Sequence, residues 1–267
     1  MTTAAPVRRG YVDGRWGQVH YRASGTTGPV VVLFHESPSS SVVYEPVLQR
    51  LGHHVQAFAF DTPGYGASDP PPDAREIPEY AAALLEAMDG LGLQQFTVVG
   101  SHTGAGLGLQ VALQAGGDRN IAAVLSGVPF YTQAQREAFL ATWAPERSID
   151  ADGSHLTWAW ERYQRVWGPE TDPQVLHLGV SLLLPVLPRY TWAYNASFRH
   201  DCGPDLIAMT APTLLLTAED DMLVDMDLAA LALLRNGRMR TVPGLSGQLS
   251  LSAPDVLAGA VLDLTTG

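Results

Sequence analysis

The chain is predicted to be an α/β protein: a mostly parallel sheet flanked by helices, with a helical segment inserted between strands. Three observations carry this. Short apolar runs rich in β-branched residues alternate with longer stretches of helical period, the pattern of successive βαβ units. That alternation lapses between Val128 and about Asp201. The chain has 267 residues, 46% of them hydrophobic and 16% charged, which fits one large, well-buried domain with an insertion and is too short for two ordinary catalytic domains.

Taken in order, the apolar runs place strands over 18–23, 30–34, 55–60, 96–99, 122–125, 213–216 and 239–242. Stretches of helical period fall over 42–51, 78–91, 103–114, 225–235 and 254–264. The core domain is thus expected from residues 1–128 together with 202–267. Residues 129–201 form a helical lid over the carboxyl end of the sheet, where open α/β folds place ligands. Twelve aromatics fall in this stretch, from Phe130 and Tyr131 through Trp143, Trp158 and Trp167 to Phe198. Most should pack the lid onto the core, and several, with Tyr131 and Trp143 in front, are expected to line an apolar pocket.

Composition excludes several function classes. A net charge of −11 argues against a phosphate-backbone partner. No apolar run is long enough to span a bilayer, and the first residues, Met1-Thr2-Thr3-Ala4-Ala5-Pro6, lack the charged and apolar segments of a signal peptide. Cys202 is alone, which rules out an intramolecular disulfide and suits a reducing cytoplasm. It has no activating motif and reads as a small buried hydrophobe.

The segment Val98-Val99-Gly100-Ser101-His102-Thr103-Gly104-Ala105 carries the chemistry. It has the layout Gly-x-Nu-x-Gly of a nucleophile elbow, a strand turning sharply into a helix, with His102 in the nucleophile slot. Three further landmarks fall in order around it. Phe34-His35-Glu36-Ser37-Pro38-Ser39-Ser40-Ser41 and Asp61-Thr62-Pro63-Gly64-Tyr65-Gly66-Ala67-Ser68-Asp69 precede it, and Pro212 through Asp221 follow. Together these resemble the α/β-hydrolases over nearly the whole chain. The likeness is to the branch with epoxide hydrolases, haloalkane dehalogenases and related lyases.

That resemblance implies an oxyanion hole from the backbone amides of Ser37 and Thr103, and Asp221 in the acid position. It also exposes departures. Glu36 replaces the glycine of the family's His-Gly pair. The family's histidine should stand in Val242-Pro243-Gly244-Leu245-Ser246-Gly247-Gln248-Leu249, but Gly247 occupies its place, and no histidine follows His200.

A serine nucleophile needs a base to take its proton. Ser101, in the x position, points away from the pocket and has none. His102 suits other work. At a helix start the dipole is expected to lower its pKa toward neutral imidazole, which could move a proton or donate to a developing oxyanion. Its reach to Asp221 is expected to fall short of a direct hydrogen bond, with a water completing the relay in the volume Gly247 vacates. Alternatively Asp221 is a relic carboxylate or caps the helix beyond Met222. Glu36, facing in, would form an acid–base pair with His102; facing out, it is structural.

No His-x-x-x-His or Cys-x-x-Cys spacing supports a metal, and no dinucleotide fingerprint is present, so neither metal nor cofactor is expected. The resemblance makes His35 structural. His53, His54, His155 and His177 read as surface or lid residues, and His200 beside Asp201 is the other histidine placed to reach the pocket. The expected protein is a cofactor-independent enzyme using His102, Asp221 and Glu36 on an apolar small molecule. Elimination, cyclisation, isomerisation or water addition all fit. A role in bacterial specialised metabolism fits the altered site and aromatic lid, and a homodimer stays open as an assembly. Two alternatives remain: an inactive ligand-binding protein, and a hydrolase with His102 as covalent nucleophile.

Overall fold

The computed structural model describes residues 4–168 and 170–266. Eight strands form one sheet in the order β1-β2-β4-β3-β5-β6-β7-β8. They are β1 (Val7–Gly14), β2 (Gly17–Ser24), β3 (Val30–Phe34), β4 (Gln56–Phe60), β5 (Phe96–Ser101), β6 (Asn120–Ser126), β7 (Thr213–Ala218) and β8 (Gly237–Val242). β2 pairs antiparallel with β1 and with β4; every other neighbouring pair is parallel.

The central strands are buried on both faces, and their side chains alternate between two cores, as a period of two requires. Val32, Phe34, Val98, Ala123, Leu125 and Leu215 enter one core, packed by α2 (Ile77–Gly90) and α3 (Thr103–Ala115). Val31, Leu33, Val99, Val124, Leu214 and Leu216 enter the other, closed by α1 (Glu45–Leu51), the short α10 (Leu249–Ser252) and α11 (Pro254–Thr265).

The predicted sheet and its flanking helices are present. Three differences have physical reasons. β1 is absent from the sequence prediction: VRRGYVDG is a charged edge strand, half-exposed along its length, that pairs only with β2. The helix expected over 42–51 opens as a 3-10 turn, Ser41–Tyr44, because the Ser40 hydroxyl accepts from the Val42 amide and starts a tighter turn before Pro46. The helix expected to reach 235 ends at Leu231 (α9, Val224–Leu231), where the chain turns through Asn236 and Gly237 into β8.

Between β6 and β7, residues 129–201 carry α4 (Gln133–Thr142), α5 (Ser154–Trp167), α6 (Pro173–Leu183) and α7 (Thr191–Arg199), with α8 (Gly203–Ala208) following. α4 starts on a capping box: Thr132 Oγ1 accepts from the Gln135 amide while Gln135 Oε1 accepts from the Thr132 amide. The helical segment is tied to the loops after β3 and β4. Tyr163 donates to the Pro38 carbonyl at 3.1 Å, Arg189 Nε donates to the Gly64 carbonyl at 2.6 Å, and the Ala193 amide donates to Tyr65 Oη at 2.8 Å. Among the described residues no helix is long and apolar enough to cross a membrane.

Candidate active site

The turn from β5 to α3 forms a sharp elbow. His102 takes φ 48° and ψ −117°, a sparsely populated conformation for a residue with a Cβ. The flanking glycines permit it. A Cβ at Gly100 would lie 2.3 Å from the Gly104 carbonyl oxygen, and one at Gly104 would lie 2.0 Å from that of Phe34. β5 therefore enters α3 with its backbone pressed against β3, and the His102 side chain is presented to a cavity of about 540 Å³.

His102 Nε2 lies 3.0 Å from Asp221 Oδ2. The predicted shortfall is corrected: the contact is direct. Asp221 stands in the loop after β7, with its side chain almost wholly buried, and its second oxygen accepts from the Leu223 amide at 2.8 Å. One carboxylate thus fixes the imidazole and the entry to α9. Gly247 borders the pair, since a Cβ there would sit 2.8 Å from Asp221 Oδ2.

The expected lowering of the His102 pKa is also corrected. Burial does lower it, but the Asp221 charge and hydrogen bond, with smaller contributions from Glu36 and Asp227, push it up to about 9. A carboxylate in contact outweighs the partial charge of a helix end. Burial raises the Asp221 carboxyl while His102 and the Leu223 amide lower it, and the net result is below the ordinary value. At neutral pH the pair is imidazolium and carboxylate. Nε2 donates to Asp221, and Nδ1 has no partner among the described residues.

The ring rests on Gly127, where a Cβ would come within 2.2 Å of His102 Cδ2. That segment is held by Asp227, which sequence reasoning does not single out. Asp227 is fully buried and accepts from the Gly127 amide at 3.0 Å, the Val128 amide at 2.7 Å and Thr217 Oγ1 at 2.6 Å. Burial pushes its carboxyl up, against those hydrogen bonds.

Glu36 is buried and lines the cavity with Ser37, His102 and Thr103. With the Gln248 amide oriented to satisfy both neighbours, its nitrogen donates to Glu36 Oε1 at 3.0 Å and its oxygen accepts from Trp167 Nε1 at 3.1 Å. The amides of Ser37 and Thr103 donate to no acceptor among the described residues. Tyr131, Phe139, Trp143, Tyr194 and Phe198 make an aromatic wall, with Tyr131 and Phe198 each in ring contact with Phe139.

Other residues fall outside the cavity. Ser101 faces a separate small void with Tyr44 and Leu249. His35 is buried, its Nδ1 donating to the Glu36 carbonyl at 2.7 Å and its Nε2 accepting from the Thr62 amide at 3.0 Å; it shapes the loop. His200 does not line the cavity, correcting its expected reach: Nε2 lies 2.7 Å from Asp205 Oδ2 at the start of α8. Among the described residues no three His, Cys, Asp or Glu side chains come together as a metal-binding group.

A profile of the α/β hydrolase fold matches residues 29–147. Haloalkane dehalogenase 2 of Mycobacterium bovis is 30% identical over 127 residues, which cover 47% of this chain and 44% of that protein; the match spans less than half of either. The 2-(acetamidomethylene)succinate hydrolase of Mesorhizobium japonicum is 25% identical over 253 residues, covering 88% of this chain and 87% of its own. The crystal structure of a hydrolase from Pseudomonas aeruginosa superimposes with a TM-score of 0.82 at 19% identity, over 97% of this chain and 99% of that one. Strand order, the matched profile and the superimposed structures converge: the chain has the α/β-hydrolase fold.

Proposed function

We propose that this protein is an enzyme in which His102, held by Asp221, acts as the proton donor to a small molecule, with no serine acyl-enzyme. The observation that carries this is the direct 3.0 Å contact between the elbow histidine and the buried Asp221. An imidazolium with a free Nδ1–H beside unpaired backbone amides is suited to stabilising a developing oxyanion or protonating a leaving oxygen. Glu36 is the facing base. It takes a proton from a substrate carbon or from water while His102 gives one up, and proton return from Glu36 to His102 resets the pair. Elimination, cyclisation and isomerisation fit this balance. Water addition is favoured among them because the relative matched over most of both chains is named a hydrolase. The aromatic wall supplies an apolar surface for the body of the substrate.

This assignment disfavours His102 as a covalent nucleophile, since a protonated imidazole has no lone pair to attack with. It is tested by assaying wild type and His102→Ala in parallel against panels of small esters, lactones and epoxides. The variant should fold, by circular dichroism and thermal melting, and lose turnover by at least about 10³-fold, the scale of a general-acid contribution. Wild-type turnover retained in folded His102→Ala would falsify the proposal.

A further inference from the structure

Arg162 stands out from the other arginines of the molecule. It projects from α5 into the cavity wall and is only 8% exposed. Its guanidinium carbon lies 5.6 Å from the ring centres of Trp143 and Tyr194 and 5.8 Å from those of Trp158 and Tyr190. Nη1 donates to the Trp143 carbonyl at 2.9 Å. None of the ion pairs among the described residues involves it, and its Nη2 is buried without an acceptor.

A buried cation without a counter-charge is costly, and four ring faces offset only part of that cost. Trp143 Nε1 beside it is also buried, with no acceptor in good hydrogen-bond geometry among the described residues and the Tyr194 hydroxyl near it. The Tyr194 hydroxyl is close enough to both for Arg162 and Trp143 to oppose the upward push that burial gives its pKa. Two donors therefore converge on a single hydroxyl oxygen, with no carboxylate paired to the guanidinium among the described residues. Among the other charges lining the cavity, His102 is paired with Asp221 and Glu36 accepts from Gln248, while Arg165, Glu170 and Asp220 are less buried than Arg162.

We propose that Arg162, with Trp143 Nε1 and the Tyr194 hydroxyl, is an anion subsite that takes a carboxylate of the substrate. The ligand class is a small organic acid whose apolar body lies on the aromatic wall and whose reacting group reaches His102. Guanidinium is the side chain best matched to a carboxylate, and removing both charges from water together makes the pairing charge-selective. The subsite deepens the catalytic assignment of the same cavity, but it is a statement about binding and is tested without turnover.

The probes are phenylacetate and phenylacetamide, of nearly equal shape and different charge, titrated at neutral pH by isothermal calorimetry. Phenylacetate should bind at least about tenfold more tightly than the amide. Arg162→Met should erase the preference, Arg162→Lys should keep part of it, and His102→Ala should keep it while losing any turnover. Equal affinity for the two probes, binding of neither, or an unchanged preference in Arg162→Met overturns the subsite. A preference lost in His102→Ala with Arg162 intact also overturns it, because recognition would then rest on the imidazolium. Should Arg162→Met not fold, Trp143→Phe removes a single donor and is read instead. It should lower the preference several-fold, and an unchanged preference counts against the subsite.

Discussion

Replacing Asp221 by Asn keeps the shape of the pair and removes its charge, so it isolates the electrostatic contact. In the native protein His102 titrates at about 9 against an ordinary 6.5. Every tenfold gain in proton affinity is worth about 1.4 kcal/mol, so the net of burial and the surrounding carboxylates, Asp221 foremost, favours the folded, protonated state by about 3 kcal/mol. The sign follows from the direction of the change. A histidine whose pKa is raised on folding contributes this stability in full below 6.5 and loses it as pH rises through about 9. Without the Asp221 charge, burial is the largest remaining influence and lowers the pKa, so Asp221→Asn should return His102 to 6.5 or below. Two assays follow the effect. Nuclear magnetic resonance of the His102 ring proton gives the midpoint directly. Urea unfolding between pH 6 and pH 10, taken as wild type minus variant, cancels the other groups that titrate there and should show a pH-dependent difference of at least about 3 kcal/mol near pH 6 that is lost as pH rises through about 9. A wild-type midpoint near 6.5, or a variant with the wild-type midpoint, would refute the electrostatic account of the pair.

Two further predictions concern the supports of that pair. Gly247→Ala places a Cβ 2.8 Å from Asp221 Oδ2 at a residue with φ +114°; we expect about 1–3 kcal/mol of destabilisation in thermal melts and a lowered His102 midpoint, and a neutral substitution would show that the loop yields freely. Asp227→Asn turns one accepting oxygen into a donor facing amides that already donate, which should cost about 1–3 kcal/mol and loosen the segment under the imidazole, visible as faster amide exchange at Gly127 and Val128; unchanged exchange rates would mean Asp227 does not hold that segment.

Much of the fold is legible in the sequence because the central strands are continuous apolar runs buried on both faces, and the elbow glycines mark a turn no other residue allows. The edge strand β1 is not legible, since its alternating charged residues satisfy a half-exposed strand and a polar loop equally well. At the site, the elbow position of His102 and the acid position of Asp221 can be placed from landmark order. Their direct contact cannot, because it depends on a side-chain direction set by the ring seating on Gly127. The proton affinity is hidden for the same reason: the helix end is visible in the sequence, and a carboxylate arriving from 119 residues away is not. Arg162 lies in a run with Trp158, Trp160, Tyr163 and Trp167. The aromatics there are conspicuous in the sequence; what sets the arginine apart is the lack of any carboxylate paired with it in space, which one-dimensional spacing does not show.

The strand order has a mechanical consequence. β5, which carries His102, and β7, which leads to Asp221, are not neighbours; β6 lies between them. Their tips are therefore about two strand spacings apart, roughly 10 Å, and one imidazole and one carboxylate bridge that gap over the end of β6. The pair acts as a strut across three strands. Any ligand that shifts the loop after β7 would pull on the strut and change the proton affinity of His102 without touching it, so the position of that loop and the charge of the imidazole are coupled through a single bond.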